Sequence, residues 1–261
     1  MPGLKRRRAL RAFVETWALP AVTLVGILVV WQVAAKALHV PVWLVPAPSD
    51  IVRSVMERSE GLGIHVWVTF YETLLGFLLA IAVGVPLAVA VVHSRLLGNA
   101  IYPLILITQS IPKVAFAPIL LIWLGYGDFP KILVAFLVAF FPIVVDTATG
   151  LRSPAPQLLD LARQLSASQL QIYTKIRFPS ALPHFFSGLK VAITLAVIGA
   201  VIGEFVGSER GLGFLVVQAT SHFKTPLAFA AMSLLAVMAM VLFFAVVAVE
   251  RILCPWYGRH D

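Results

Sequence analysis

The sequence predicts an all-α, polytopic membrane protein with six transmembrane helices and one cytoplasmic amphipathic helix between the fourth and the fifth. Three observations carry this reading. Sixty per cent of the 261 residues are hydrophobic, only 12% are charged, and the mean hydropathy is +0.95, a composition foreign to soluble domains. Six apolar runs each approach or exceed the roughly 20 residues that cross a bilayer. Between the fourth and fifth runs lies a polar stretch, residues 157–183, whose Leu158, Leu161, Leu165, Ala167 and Leu170 recur at helical spacing beside Arg163, Lys175 and Arg177. That stretch cannot sit in lipid, and its apolar stripe predicts a surface grip from outside the bilayer.

The chain divides into a basic cytoplasmic N-terminus (1–16), one transmembrane domain (17–252) and a short cytoplasmic C-terminus (253–261). Lys5, Arg6, Arg7, Arg8 and Arg11 precede the first run, residues 17–38, much as in a signal peptide. The run is longer than a signal peptide's apolar core and lacks a small-residue cleavage site, so it reads as a retained first helix. Pro48-Ser49-Asp50 then predicts a short surface helix with Ser49 as N-cap. The second span, 66–92, contains Gly76, Gly84 and Pro86, which predicts close packing and a kink. The third, 101–124, carries Pro103, Pro112 and Pro118 with Gln109, Ser110 and Lys113, and is the most broken and polar of the six. The fourth, fifth and sixth cover 131–151, 183–206 and 226–252, with the cytoplasmic loop at 152–182.

Basic residues orient these spans. The proposed cytoplasmic side holds twelve, Lys5, Arg6, Arg7, Arg8, Arg11, Arg95, Arg152, Arg163, Lys175, Arg177, Arg251 and Arg259, against six outside, Lys36, Arg53, Arg58, Lys131, Arg210 and Lys224. This bias predicts a multi-pass membrane protein with both termini cytoplasmic. The formal charge of +8 is spread between spans without an aromatic-interleaved patch, so no nucleic acid is expected as a partner. The histidines are dispersed and Cys254 is the single cysteine, which points to no metal site and no internal disulfide.

The cytoplasmic stretch resembles the EAA motif of ABC importer permeases: E-A-A, three residues, G, nine residues, I-x-L-P. Asp160-Leu161-Ala162 takes the first place, Ser166 the glycine, Ile176 the isoleucine and Phe178-Pro179 the Leu-Pro. Ala162, Ile176 and Pro179 match literally, Asp160 and Phe178 are conservative, and Leu161 and Ser166 depart. Segments 109–127, 139–153 and 202–219 look like nitrate/sulfonate/taurine-type permeases, and Gln109 to Lys113 with Gly203-Glu204-Phe205 look closest to members assigned to riboflavin or thiamine-pyrimidine precursors.

The resemblance implies a type I importer permease fold and a coupling helix formed by Asp160, Leu161, Ala162, Leu165, Ser166, Ala167 and Ser168, with Ile176 and Pro179 behind it. It also implies a homodimer with a second permease copy, a cytoplasmic ABC ATPase dimer binding ATP and Mg, and an extracytoplasmic solute-binding protein. This chain has no G-x-x-x-x-G-K-[ST] loop, so no cofactor is expected on it and ATP hydrolysis would be contributed by the partner ATPase. Serine at the glycine place implies a turn that either needs no positive φ or tolerates a small side chain.

Charged and polar residues within the spans supply the remaining candidates. Lys113, with Gln109 one turn earlier and Ser110 between them, either lines the translocation path or pairs with a neighbouring carboxylate or carbonyl. Glu72 and Glu204 approach the outer surface, where an outer gate or binding-protein contact competes with simple snorkelling to water. Asp146 and Lys190 are expected to form a structural pair. A secondary transporter, the alternative function, would call for mid-membrane coupling carboxylates and an internal repeat; a membrane enzyme would need a catalytic cluster at one depth. Neither pattern stands out, which leaves a permease. The expected solute is a small organic molecule or anion, either a heterocyclic vitamin precursor or a sulfonate- or nitrate-like species.

Overall fold

An apolar run that crosses lipid must satisfy every backbone N–H and C=O within itself. Accordingly, every regular element in the described residues of the computed structural model, 18–57 and 59–256, is helical. The basic cluster from Lys5 to Arg11, Trp17, Arg58, Arg259 and His260 lie outside the described residues. Five helices are long and apolar enough to span a membrane, and a sixth span results if one sharply bent pair is counted as one.

The chain packs as two units. The first comprises residues 1–62 and 218–230. Here α1 (Leu19–Ala37) meets α2 (Pro48–Glu57): Ser49 donates its N–H to the Gln32 Oε1 at 3.0 Å, and Gln32 Nε2 donates to Ser49 Oγ at 3.0 Å. Ser49 is therefore not the N-cap expected of it. Its hydroxyl is engaged by α1, and the Asp50 carboxylate instead accepts the Ala47 N–H at 3.1 Å, so the helix starts two residues earlier, at Pro48.

The second unit comprises residues 63–217 and 231–261. It is built on α3 (Ser59–His93), α6 (Asp128–Arg152) and α9 (Phe178–Gly207), joined by most of α11 (Thr225–Leu253). Small residues let the first three approach closely. A Cβ on Gly76 of α3 would lie 2.6 Å from the Ala135 Cβ, and one on Gly199 of α9 would lie 2.7 Å from the Ala135 Cα. Ala135 of α6 is fully buried between them. Phe77, Ile143, Phe186 and Ile193 continue that core, with Met238 and Leu242 of α11. Pro86 is accommodated inside α3 without ending it.

The third span breaks at Pro112, while Pro103 and Pro118 are accommodated inside helices. α4 (Arg95–Gln109) stops, a 3₁₀ turn forms at Lys113–Ala115, and α5 (Phe116–Leu124) leaves at 80° to α4. Pro112 supplies no N–H and holds an extended backbone at the corner, with ψ of 94°. The remaining elements are α7 (Pro156–Gln164) and the single-turn α8 (Gln169–Ile172), followed by a π-turn at Tyr173–Arg177, all between α6 and α9, and α10 (Leu212–Ser221) after α9.

Candidate functional site

α6 and α9 run in opposite directions, so the connection between them lies at one end of the pair and the start of α6 with the end of α9 lies at the other. Each end carries a candidate site.

At the connecting end, α7 is amphipathic and exposed. Asp160 is exposed and pairs with Arg163 at 2.8 Å. Leu158 and Leu161 are exposed on α7, Leu165 at its C-cap and Leu170 on α8, with Leu165 at 75%. Ala162 and Ala167 are half-buried. Ser166 has φ of +57°, inside the left-handed region. Its N–H donates to the Arg163 carbonyl at 2.9 Å and the Ala167 N–H donates to the Ala162 carbonyl at 3.0 Å, the pair of bonds that closes a Schellman C-terminus. The turn therefore does require positive φ, and serine tolerates it. Ser168 then caps α8 in a full capping box with Gln171. The half-buried Ile176 lies in the π-turn and Pro179 in the first turn of α9. Arg177 ties this segment back to α6, donating from Nη1 to the Leu151 carbonyl at 3.2 Å. Two helical pieces and a tight turn thus present four leucines on a firmly seated loop.

Gln109, Ser110 and Lys113 fall at the break in the third span, with Gln109 closing α4 and both Gln109 and Ser110 exposed. Lys113 Nζ donates to the Gln109 carbonyl at 3.1 Å and stands 4.4 Å from the centre of the Phe141 ring. The lysine thus satisfies a carbonyl freed by the break and rests on an aromatic face.

At the opposite end, snorkelling does not describe Glu72 or Glu204. They are 0% and 1% exposed. Glu72 forms an ion pair with Lys131, which is itself buried and also bonds Asp128 at 3.0 Å and the Ser208 hydroxyl at 3.2 Å. Glu204 accepts a 2.6 Å bond from the Thr69 hydroxyl and another from the Gly213 N–H. Thr69 Oγ1 in turn accepts the Leu212 N–H at 2.8 Å, and the Gly211 N–H lies 3.0 Å from His65 Nδ1. Gly211 has φ of +117°, and a Cβ there would meet the Glu204 carboxyl carbon at 2.2 Å. Only glycine lets the turn fold down onto that carboxylate. Beside this network opens a cavity of about 700 Å³ whose lining includes Trp67, Tyr71, Tyr126, Asp128, Lys131 and Arg210.

Asp146 and Lys190 do not pair. Asp146 packs against Gly188 of α9, and Lys190, two residues later, is turned about 200° around the helix. It bonds Glu250 of α11 at 3.0 Å instead. Sequence reasoning did not single out Thr69, His65, Asp128 or Lys131 as site residues. The available signal was an unusual concentration of polar groups at both ends of residues 65–72 and 128–131, beside the glycine-rich turn.

The description "Binding-protein-dependent transport system inner membrane component" matches residues 76–259. The formylaminopyrimidine transport permease protein ThiX of Halalkalibacterium halodurans is 34% identical over 242 residues, covering 92% of this chain and 96% of that one. The riboflavin transport system permease protein RibX of Chloroflexus aurantiacus is 36% identical over 237 residues, covering 90% of this chain and 88% of that one. The fold matches a chain of the MetNI methionine ABC transporter in an inward-facing conformation, with a TM-score of 0.64 at 21% identity over 74% of this chain and 95% of that chain. With the broken third span, the close-packed α3, α6 and α9 and the exposed loop helix, these matches place the chain among the binding-protein-dependent transport system inner membrane components: it is a permease subunit of an ABC importer.

Proposed function

We propose that this permease couples to a cytoplasmic ATPase dimer through the loop 157–183, works as a homodimer, and receives its solute from an extracytoplasmic binding protein. The observation that carries the coupling is the exposed set Leu158, Leu161, Leu165 and Leu170 around the Ser166 turn, apolar surface on an otherwise polar loop that an ATPase groove would cover. ATP and Mg belong to the ATPase, whose closure pushes α7 and, through Arg177 and the π-turn, the ends of α6 and α9. Alternating access follows from moving those spans. The orientation that suits this role has both termini and the loop in the cytoplasm, as the basic residues favour.

The names of ThiX and RibX favour a nitrogen heterocycle as solute over a sulfonate or nitrate. Co-expression with the ATPase tests the coupling. The ATPase should co-purify with the wild-type chain and be lost when Leu161 and Leu165 are both changed to Glu. Retention of the ATPase by that double variant would mean that it docks elsewhere than on these leucines, and no ATPase association at all would overturn the coupling.

A further inference from the structure

The cavity between α3, the start of α6 and the turn after α9 has the size and lining of a ligand site rather than a packing defect. Its volume of about 700 Å³ falls within the range that holds one drug- or vitamin-sized molecule. Trp67, Tyr71 and Tyr126 bring three aromatic rings to its wall. Trp67 and Tyr126 are 62% and 87% exposed, so the fold leaves both rings accessible.

The polar side of the lining narrows the ligand's chemistry. The Lys131 ammonium is ion-paired with Glu72 and donates to Asp128 and Ser208, so it neutralises the wall and is already engaged within it. The Asp128 carboxylate accepts from Lys131 at 3.0 Å, yet its side chain remains 58% exposed with acceptor capacity to spare. Arg210, in the turn, contributes donors only. Glu209 adds a second carboxylate to the lining, so the site pairs acceptors with a donor beside flat rings. A sulfonate or nitrate would gain from Arg210 but would be repelled by Asp128. A neutral ring carrying both an amino group and a ring nitrogen or carbonyl satisfies both, and stacks on the tyrosine and tryptophan faces.

We propose that this cavity is a binding site on the permease for a neutral nitrogen heteroaromatic solute, held by stacking on Tyr126 and Trp67 and by hydrogen bonds to Asp128 and Arg210. The inference rests on the importer reading above and adds a solute site on the permease itself. It places solute recognition at the end of the spans remote from the coupling loop, where solute would enter before the path opens.

The test uses the permease–ATPase complex in nanodiscs without the binding protein, titrated separately with formylaminopyrimidine and riboflavin, with taurine as competitor. At least one heteroaromatic should bind saturably, and taurine should not displace it. Tyr126→Ala should weaken binding roughly tenfold or more, and Asp128→Asn should weaken it too. Tyr126 is exposed, so its loss cannot unfold the protein, and ATPase recovery reports assembly independently. No saturable binding, displacement by taurine, or binding indifferent to Tyr126→Ala would overturn the proposal. Failure of the ATPase to co-purify would instead fault the importer coupling, so the two failures are distinct.

Discussion

The Thr69 hydroxyl on α3 donates a 2.6 Å hydrogen bond to the Glu204 carboxylate on α9, 135 positions later in the chain, and accepts the Leu212 N–H at 2.8 Å. One buried hydroxyl thus joins α3, α9 and the start of α10. Thr69→Val keeps the shape but orphans both the Leu212 N–H and one carboxylate oxygen, each worth about 1–3 kcal/mol when buried. The purified variant should unfold at lower temperature, with Thr69→Ser close to wild type. If Thr69→Val unfolds with the wild type, the hydroxyl does not hold this junction together.

Lys131 and Glu72 form a buried ion pair, so removing one charge should hurt more than removing both. Lys131→Met leaves Glu72 buried without its counter-charge, at a cost of about 3–5 kcal/mol. Yield of monodisperse protein should fall sharply, and the double variant Lys131→Met with Glu72→Gln should recover much of it. A double variant no better than the single would mean that the lysine acts through Asp128 or Ser208 rather than Glu72.

The spans were legible because length and apolarity suffice to define them. The fourth, expected at 131–151, is Asp128–Arg152, and the third breaks at Pro112 but not at Pro103 or Pro118. The second begins earlier than expected, since Gly61, Gly63 and His65 continue the helix rather than form a loop. The loop helix was legible only in part. Its leucine spacing reads as one helix through Leu170, whereas α7 ends at Gln164, the chain turns at Ser166, and Leu170 belongs to the separate α8. Leu165, Ser166, Ala167 and Ser168 therefore lie outside any single coupling helix. The ionic network was not legible. A glutamate near a span end reads the same whether it snorkels or turns inward, and only the placement of Lys131 and Thr69 on facing helices decides. Asp146 and Lys190 failed for a related reason: depth in the membrane could be read, but not the angle around the helix. For Ser166, the family's glycine was the clue to its positive φ, and serine itself hid it.

Topology can be checked directly. Reporters placed within residues 153–157 and after Arg259 should both register as cytoplasmic, given twelve basic residues on that side against six. An extracytoplasmic signal at either site would reverse the orientation and remove the loop from the ATPase.

Lys113 has a carbonyl and a ring as neighbours, not a carboxylate. Lys113→Met therefore leaves no buried charge behind, and loses a cation–π contact of about 0.5–1 kcal/mol. Assembly and ATPase activity should persist while uptake falls, if the ammonium faces the solute path. Normal uptake with normal yield would remove Lys113, and with it Gln109 and Ser110, from the path.

The Ser166 turn offers two opposite outcomes at one position. Its φ of +57° lies where a side chain is strained and glycine is not, and it stands outside α7, so helix propensity is irrelevant there. Ser166→Gly should therefore stabilise the loop by about 1 kcal/mol. Ser166→Val, which is β-branched, should disfavour the turn without adding much bulk. Ser166→Trp adds bulk at a surface meant to be covered, and Ala162→Glu adds a charge beside it. Both should abolish ATP-driven uptake and lower recovery of the ATPase while the spans remain inserted. Pull-down of the ATPase and uptake in the same cells measure both effects. If Ser166→Trp leaves uptake and pull-down intact, then the turn between α7 and α8 does not dock the ATPase, and the exposed leucines around it must serve another partner.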